Sequence, residues 1–421
     1  MKKNILVFPC GSEIGLDIHK QVKYSTYFHL IGGSSVDDHG KYVYEDYIGG
    51  LPYISDASFL ATLKQVVKER KIDAIYPTMD MAISFLKKNE IFLACKVIGP
   101  DMETAEICIS KEETYNRLNG IIPLPQRYNV GQVHNYPVFV KPKIGYGSRG
   151  ATIIHNKEEL NAIDSISDKL ILEYLPGEEY TVDCFTDKHG HLLFSSARKR
   201  GRIRMGISVN TSFVANQQEF QQYAESINSE LRFRGAWFFQ VKRNRNGLLV
   251  LLEVAARFGG SSMLCFAIGI NFPLMTLFDA FDYEVSLQRN SYNAVIDRAF
   301  SCKYALDITY NCVYVDFDDC LYLDNQRLNT ELVAFLYRCI NNNIRIILIT
   351  KHCGDLNTLL KKLRIDTLFD EIIHLQKDEE KYVHTTENHA IFIDDSYAER
   401  QKIIIHRGIP VFSPEMVEVL S

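Results

Sequence analysis

Short apolar runs alternate with helix-like stretches at both ends of this chain, and this alternation constrains its fold most strongly. Residues 1–105 hold the strand-like runs "NILVFP", "FHLIGGSS", "DAIYPT" and "KVIGP", together with the amphipathic stretch "FLATLKQVVKERKI". The alternation returns in residues 309–421, whereas residues 106–305 contain more frequent strands and turns. A chain of 421 residues is also long for one domain. We therefore predict a multidomain α/β protein with boundaries near residues 105 and 305–309.

Composition and charge argue against several classes of protein. The net charge is −5 and there is no long basic run, so nucleic acid is not an expected partner. No apolar run approaches the roughly 18 residues of a membrane span. The short apolar run after Met1 predicts a first strand rather than a signal peptide. The ten cysteines include no C-x-x-C pair, which is typical of reduced thiols in a cytoplasmic protein.

Gly11 and Gly15 follow the first predicted strand, at a position where parallel sheets bind ligands. Their spacing is not G-x-G-x-x-G, so a dinucleotide site is not expected. A ligand site and a tight turn from strand to helix both remain open for these two glycines.

A glycine-rich segment follows the strand-like residues Val138–Val140 in "YPVFVKPKIGYGSRGATII". Lys141 lies at the strand end, and Gly145, Gly147 and Gly150 come next. Glycines let backbone N–H groups approach a phosphate closely, and a lysine can neutralise its charge. The segment does not have the Walker A pattern. It is therefore either a phosphate-binding loop or a structural turn.

The segment "WFFQVKRNRNGLLVLLEVAARFGG" predicts a β-hairpin, because Asn246-Gly247 lies between two β-rich runs. If these two residues form the turn, Gln240 lies opposite Glu253. Side chains paired in this way share one face of the ladder at about 5 Å. An amide oxygen and a carboxylate on an otherwise apolar ladder suit Mg²⁺. The alternative is a buried hydrogen bond between Gln240 and Glu253.

Three segments together resemble the ATP-grasp superfamily, notably its carbamoyl-phosphate-synthetase-like and carboxylate–amine ligase members. They are the glycine-rich segment, the predicted hairpin, and "KLILEYLPGEEYTVDCF", in which Pro176-Gly177 separates two strand-like runs. The resemblance covers roughly residues 1–300. It implies a Rossmann-like pre-ATP-grasp domain in residues 1–105, followed by the α+β lobes of an ATP-grasp domain in residues 106–305.

The same resemblance implies which residues bind ATP. Two lysines hold the phosphates, a mobile glycine-rich loop covers them, the end of a strand binds adenine, and an acidic residue binds ribose. The phosphate-binding lysines are Lys111 and Lys141, and the loop residues are Gly145, Gly147, Ser148 and Gly150. The adenine-binding residues are Glu173, Tyr174 and Leu175, and the ribose-binding residue is Glu179.

The resemblance also implies a metal site and a reaction. Gln240 and Glu253 hold Mg²⁺, for which Mn²⁺ is a substitute, and Arg257 stabilises the transferring phosphoryl group. The family usually reads E-[IV]-N-P-R, but Ala255 stands here in place of the metal-binding Asn. We therefore expect one metal ion to be held weakly or differently.

The implied reaction makes an acyl phosphate from a small-molecule carboxylate, and an amine or similar nucleophile then displaces the phosphate. Related ligases also suggest a homodimer.

The stretch "SARKRGRIRMGIS" places five basic residues between predicted ATP-binding strands. Two interpretations are open: a solvated loop, which is the usual fate of a charge run, or a site for an anionic substrate or phosphate. The basic residues are Arg198, Lys199, Arg200, Arg202 and Arg204.

Three apolar runs near the C-terminus end in polar residues. "NCVYVDFDD" ends at Asp316 and Asp318, "IRIILITKH" ends at Thr350, and "HAIFIDDS" ends at Asp394 and Asp395. A stretch with helical apolar spacing, "NTELVAFLYRCINNN", separates the first two runs. Parallel strands joined by helices bring their C-terminal ends to one sheet edge. The carboxylates are therefore expected in one crevice, where a bound cation compensates their repulsion.

This order of motifs resembles the haloacid dehalogenase (HAD) superfamily of phosphotransferases and phosphatases over about residues 309–421. The resemblance implies a HAD-like α/β sandwich, and the short length leaves little room for a cap domain. It makes Asp316 the nucleophile that forms an aspartyl phosphate. Asp318 is then the general acid/base, and Thr350 binds the phosphoryl oxygens.

The HAD resemblance further implies a neutralising lysine and a metal site. Lys381 is the preferred lysine, and Lys377 is the alternative. Asp394 completes a Mg²⁺ site with Asp316 and Asp318, and Asp395 is a further candidate. The expected substrate is a phosphorylated metabolite.

Three functions fit the two resemblances. The first is a bifunctional enzyme, in which an ATP-grasp ligase is fused to a phosphatase. The second has one active site only: a ligase with a regulatory tail, or a phosphatase on an inactive ATP-binding scaffold. The third is a nucleotide-dependent binding protein without turnover.

Overall fold

The computed structural model describes residues 2–145, 147, 149–204 and 207–420. Contacts within the chain divide it into two units, Met1–Phe300 and Ser301–Ser421. Within the described ranges, no helix has both the length and the apolar character needed to cross a membrane.

A five-stranded parallel sheet opens the first unit, with the strand order β3-β2-β1-β4-β5. Its strands are β1 (Lys3–Phe8), β2 (Phe28–Gly33), β3 (Tyr47–Ile48), β4 (Ala74–Pro77) and β5 (Lys96–Val97). The accompanying helices are α1 (Glu13–Val22), α2 (Phe59–Glu69), α3 (Asp80–Lys88), α4 (Glu90–Leu93), α5 (Met102–Ile109) and α6 (Lys111–Arg117). The central strand β1 is buried from Ile5 to Phe8, because sheet neighbours and helices cover it. The predicted alternation of strands and helices is confirmed here.

Two antiparallel sheets follow in the same unit. The smaller sheet has the order β6-β9-β7-β8, and the larger one has the order β14-β13-β10-β11-β12-β15. The small-sheet elements are β6 (Arg127–Tyr128), β7 (Val138–Pro142), β8 (Thr152–Ile154), α7 (Lys157–Asn161) and β9 (Lys169–Glu173). The large-sheet elements are β10 (Glu179–Thr186), β11 (Leu192–Arg204), β12 (Ile207–Phe213), α8 (Gln218–Glu230), β13 (Gly235–Arg243), β14 (Leu249–Ala255), α9 (Met263–Ala267), α10 (Phe272–Ala280) and β15 (Val295–Asp297).

The second unit is a parallel sheet with the order β20-β19-β16-β21-β22 and a separate two-stranded hairpin, β17-β18. Its strands are β16 (Cys312–Val315), β17 (Tyr322–Leu323), β18 (Arg327–Leu328), β19 (Arg345–Thr350), β20 (Glu371–His374), β21 (Ala390–Ile393) and β22 (Val411–Phe412). Its helices are α11 (Thr330–Asn341), α12 (Leu356–Leu363), α13 (Lys381–His384) and α14 (Tyr397–Arg407). The strands predicted before Asp316, Thr350 and Asp394 are thus confirmed, and they are neighbours in one sheet. The helix predicted between the strands of Asp316 and Thr350 is also confirmed, as α11.

Candidate functional sites

A cavity of about 550 Å³ lies within the first unit. One wall comes from the turns that follow β1 and β4, at Ser12–Ile14 and Thr78–Met81. The opposite wall comes from the large antiparallel sheet, and Ile144 and Gly145 border the cavity between them. Because carboxyl ends of parallel strands meet at one sheet edge, the first sheet delivers polar side chains to this cavity.

The cavity collects six of the predicted ATP-grasp residues. They are Lys111, Gly145, Gly147, Gln240, Glu253 and Arg257. Lys141, Gly150, the Glu173–Leu175 segment and Glu179 do not line it, and Ser148 lies outside the described residues.

Lys111 is fixed at the first position of α6. The Ser110 side chain caps this helix by accepting a hydrogen bond from the Glu113 N–H at 3.3 Å. The Lys111 Nζ then donates to the Gly145 carbonyl at 2.8 Å. A cation and the glycine-rich segment are therefore already adjacent at the cavity border.

Lys141 is buried beside the cavity rather than in it. Its Nζ donates to the Tyr115 hydroxyl at 2.8 Å and to the Leu252 carbonyl at 2.7 Å. Burial lowers the pKa of Lys141 to about 7, despite the opposing field of Glu253. Tyr115 and Leu252 were missed in the sequence, since neither residue type marks a nucleotide site.

The pairing of Gln240 with Glu253 is confirmed, but the predicted two-residue turn is wrong. Nearer the turn, Arg243 pairs with Leu249, which is one residue out of the predicted register. A β-bulge next to Gln240 adds one residue on the other strand. This extra residue compensates the one-residue shift at the turn, so Gln240 still pairs with Glu253. The extra residue is Leu252, whose carbonyl accepts the bond from Lys141.

Of the side-chain oxygens of Gln240 and Glu253, only those of Glu253 are well suited to bind Mg²⁺. Gln240 Oε1 accepts a hydrogen bond from Arg200 Nη1 at 3.1 Å, so a guanidinium already engages the predicted ligand atom. Ala255, opposite Phe238 in the ladder, adds no oxygen ligand from its side chain. Glu253 therefore offers the carboxylate of this site, and a Mg²⁺ ion would need to displace or share Gln240.

Arg257 is held by a residue that the sequence analysis did not single out. Its Nη2 donates to Asp80 Oδ2 at 2.8 Å, and its Nη1 donates to the Phe258 carbonyl at 3.3 Å. Asp80 begins α3 immediately after β4, at the carboxyl edge of the first sheet. Its position shortly after a predicted strand was the feature of the sequence that could have marked Asp80 as a site residue.

The five basic residues lie on β11 and not in a solvated loop, so the loop interpretation is wrong for them. Arg198 is buried and bonds Asp183 at 2.6 Å, and Arg200 bonds Glu179. Lys199 pairs with Glu178. Arg202 pairs with Asp297, at 2.8 Å, while Arg204 is exposed near the strand end. Arg198 and Arg200 line the cavity, which keeps the anion-binding interpretation open.

The structure supports the tight-turn interpretation at Gly11. A Cβ atom on Gly11 would lie 2.0 Å from Cγ of Asp38. The Asp38 carboxylate accepts hydrogen bonds from the Ser34 hydroxyl at 2.7 Å and from the Gly40 N–H at 2.9 Å. An acidic side chain thus fills the space beside this turn.

The second unit contains a separate acidic site at the carboxyl edge of its sheet. Ligand oxygens of Asp316, Asp394 and Asp395 all lie within 4.8 Å of one another. Lys381 Nζ donates to Asp316 Oδ1 at 2.6 Å and to Asp394 Oδ2 at 2.7 Å. Lys377, the alternative lysine, is exposed. Lys381 pairs with two of the three carboxylates, and Asp395 adds a third, so the group has more acids than the lysine can neutralise. Hard oxygen ligands of this kind fit Mg²⁺.

Burial and charge shift the pKa values at this site in opposite directions. Burial raises the pKa of Asp316 to about 7 and also raises that of Asp394, although Lys381 opposes both shifts. Burial would lower the pKa of Lys381, but the two neighbouring carboxylates outweigh it and raise the value. A cation at the three carboxylates would favour their ionised forms.

Asp318 stands apart from this carboxylate group. Its side chain is bonded to His352 Nδ1, at distances of 2.9 and 3.1 Å for the two carboxylate oxygens. Thr350 is buried at the end of β19 and accepts a hydrogen bond from the His352 N–H at 3.1 Å. His352 was not predicted as a site residue, although it follows Thr350 by two residues in "ITKH".

Comparisons with known proteins agree with the fold of the first unit. Residues 165–297 match the family described as "ATP-grasp in the biosynthetic pathway with Ter operon". The carbamoyl phosphate synthase large chain of Thermoplasma acidophilum is 26% identical over 238 residues, which cover 48% of this chain and 22% of that protein. The 3-methyl-D-ornithine–L-lysine ligase of Methanosarcina barkeri is 25% identical over 217 residues, covering 50% and 57% of the two chains.

Solved structures give the same result for the fold. The biotin carboxylase domain of 2-oxoglutarate carboxylase from Hydrogenobacter thermophilus has a TM-score of 0.59 at 17% identity and covers 70% of this chain and 74% of its own. The L-amino acid ligase of Bacillus licheniformis has a TM-score of 0.53 at 18% identity, covering 66% and 74%. These comparisons support a mixed α/β protein with an ATP-grasp-like fold. The aligned part of this chain spans about a fifth of the carbamoyl phosphate synthase large chain and somewhat over half of the 3-methyl-D-ornithine–L-lysine ligase.

Proposed function

We propose that the first unit is an ATP- and Mg²⁺-dependent ligase that joins a carboxylate to an amine through an acyl phosphate. The observation that carries this proposal is the cavity that collects Lys111, the glycine-rich segment, Glu253 and Arg257 within an ATP-grasp-like fold. An amino acid is the favoured carboxylate, because two similar proteins are named as amino acid ligases.

The residues of the cavity have complementary tasks in this proposal. Lys111 holds the ATP phosphates from the cavity border, with Gly145 and Gly147 beside it, and Lys141 supports them from its buried position next to the cavity. Mg²⁺, held by Glu253 with Gln240, would neutralise phosphate charge. Arg257 stabilises the phosphoryl group as it moves from ATP to the carboxylate oxygen. The amine then attacks the acyl carbon, and inorganic phosphate leaves.

Two parts of the nucleotide lie outside the cavity lining in this proposal. Glu173, Tyr174 and Leu175 bind adenine, and Glu179 binds ribose. Glu179 bonds Arg200 in the structure, so ribose binding requires the hydroxyl groups to share or replace that contact.

An assay of ADP formation tests the ligase. The protein is incubated with ATP, Mg²⁺, and pairs of amino acids or amines, and ADP is measured. We expect substrate-dependent ADP that disappears in Lys111→Ala and Glu253→Gln. ADP formation that does not depend on either residue would contradict the proposal.

We propose a second function for residues 309–421, a Mg²⁺-dependent phosphatase acting on a phosphorylated metabolite. It is carried by the contact of Lys381 with both Asp316 and Asp394 beside Asp395. In this reaction the Asp316 carboxylate attacks phosphorus and the ester oxygen leaves with a proton from Asp318. Water then attacks the aspartyl phosphate, losing its proton to Asp318, while Thr350 and Lys381 bind the phosphoryl oxygens.

Hydrolysis of 4-nitrophenyl phosphate tests the phosphatase. We expect Mg²⁺-dependent release of 4-nitrophenolate that is lost in Asp316→Asn, a change that keeps the shape of the side chain. Unchanged hydrolysis in Asp316→Asn would contradict the proposal. Turnover in only one of the two assays would favour a protein with one active site. Nucleotide binding without turnover in either assay would favour a nucleotide-dependent binding protein.

A further inference from the structure

His352 holds the side chain of Asp318 in the second unit. Its Nδ1 lies 2.9 Å from Asp318 Oδ1 and 3.1 Å from Oδ2, so the ring nitrogen faces the whole carboxylate. The Asp318 side chain is 39% exposed, whereas that of His352 is 13% exposed. The partly buried ring is therefore the anchored member of the pair, and the carboxylate is the member being held.

His352 is held through both its ring and its backbone. Its edge meets the buried ring of Phe317, with ring centres 5.3 Å apart and planes at 85°. The His352 N–H donates to Thr350 Oγ1 at 3.1 Å, and the His352 carbonyl accepts from His374 Nε2 at 2.8 Å. These contacts tie the histidine to the strand end that carries Thr350. The Phe317 contact limits rotation of the ring, and the two backbone contacts hold the Cα atom from which the ring projects.

Proton transfer at a leaving oxygen depends on the orientation of the acid. An exposed aspartate can rotate about its side-chain bonds, and each rotation moves the carboxyl oxygens away from the departing ester oxygen. A fixed hydrogen-bond partner limits this freedom and so favours the reactive geometry.

We infer that His352 is a positioning residue for Asp318 during phosphate-ester hydrolysis. This inference rests on the proposed phosphatase function. His352 does not touch the reacting phosphoryl group in this role; it orients the group that delivers the proton. Its contribution is therefore large for esters whose leaving oxygen must be protonated, and small for esters whose leaving group departs as a stable anion.

Two substitutions separate this role from a general effect on the fold. In His352→Asn, the amide nitrogen lies two bonds beyond Cβ, as Nδ1 does, and can still donate to Asp318. In His352→Gln, the amide is one bond further from the backbone and loses that position. The matched control is His384→Asn, since the His384 ring pairs with Glu379 rather than with Asp318.

The experiment measures kcat/KM for 4-nitrophenyl phosphate and for a simple alkyl phosphate with Mg²⁺. This ratio covers the steps up to departure of the leaving group and not the later attack of water, in which Asp318 serves both esters alike. We expect His352→Gln to lower kcat/KM on the alkyl ester roughly 10- to 100-fold, and on the nitrophenyl ester less than about threefold. His352→Asn and His384→Asn are expected to stay within about threefold of the natural protein on both esters. Asp318→Asn should show the same split, and adding His352→Gln to it should cost little more.

Two outcomes would overturn the inference while leaving the phosphatase intact: an equal loss on both esters in His352→Gln, or additive losses in the double variant. Failure of the natural protein to hydrolyse either ester would instead remove the phosphatase proposal, and the positioning role with it.

Discussion

The two candidate sites handle charge in opposite ways. In the cavity of the first unit, each of three arginines is paired with an acid: Arg198 with Asp183, Arg200 with Glu179, and Arg257 with Asp80. In the second unit, Lys381 pairs with Asp316 and Asp394, and the Asp395 carboxylate adds a third acid to the group. The first arrangement is near neutrality and can exchange its internal partners for a polyanion such as ATP. The second retains excess negative charge and requires a cation.

This difference predicts where a single substitution has its largest effect. Asp316→Asn removes the nucleophile of the proposed phosphatase, so 4-nitrophenyl phosphate hydrolysis should fall at least about 10⁴-fold. Steady-state kinetics with Mg²⁺ measures the loss. Because Asp316 belongs to the second unit only, ADP formation by the first unit should change less than about twofold. A parallel fall of both activities would break the comparison.

The buried pair of the cavity predicts a large effect on stability. Arg198→Met leaves Asp183 as an unpaired buried acid, so the free energy of unfolding should fall by about 3–5 kcal/mol. Trp237 is the single tryptophan and is buried in β13, so its fluorescence during urea unfolding reports on this unit.

The control for this pair is a double variant. Combining Arg198→Met with Asp183→Asn removes the unpaired charge and should recover part of the loss. An unchanged unfolding midpoint in Arg198→Met would show that the pair does not stabilise the unit.

Lys141 predicts a dependence of stability on pH. Its pKa in the fold is about 7, compared with the usual lysine value of 10.5. Between these values the unfolded chain binds a proton that the folded protein lacks, so this residue makes stability rise with pH. Lys141→Met should be more stable by about 2–3 kcal/mol at pH 6–7, and this advantage should shrink toward pH 10. Urea unfolding across pH measures the trend, and a constant difference would contradict it.

The acidic site predicts metal binding without nucleotide. Calorimetric titration of Mg²⁺ should show a site in the natural protein that weakens at least about tenfold in Asp394→Asn, because one ligand is lost. Glu253→Gln is the matched control in the other unit and should leave that titration unchanged. A loss in Glu253→Gln instead would assign the metal to the first unit.

The smallest effect, a change in ATP affinity, is expected from a substitution of Ala255. Ala255→Asn supplies the oxygen that the usual ATP-grasp pattern has at this position, so ATP should bind about two- to fivefold more tightly when Mg²⁺ is present. Ala255→Leu has a similar shape without the ligand atom and should not show this gain. An equal response of the two variants would exclude a metal contribution at this position.

Local patterns were sufficient for much of the fold. Apolar runs bounded by turns predicted β1, β4, β16, β19 and β21, because buried parallel strands leave a strong signal in sequence. The same signal placed Asp316, Thr350 and Asp394 at one edge of a sheet.

Contacts between distant residues could not be predicted in this way. The bulge at Leu252 depends on how two strands compensate a shifted turn, and Asn246-Gly247 alone does not encode it. Asp80 meets Arg257 across 177 positions, and His352 meets Asp318 across 34. Such pairs are set by packing in three dimensions, so the sequence named one partner and missed the other.

The central claim is that nucleotide binding and phosphate-ester hydrolysis belong to different units. It is tested most directly by calorimetric titration of ATP, with Mg²⁺ present, into the Asp316→Asn protein. The account predicts saturable binding of one ATP per chain, as in the natural protein, and loss of that binding when Lys111→Glu is added. ATP binding that disappears in Asp316→Asn alone would place the nucleotide in the second unit and contradict the claim.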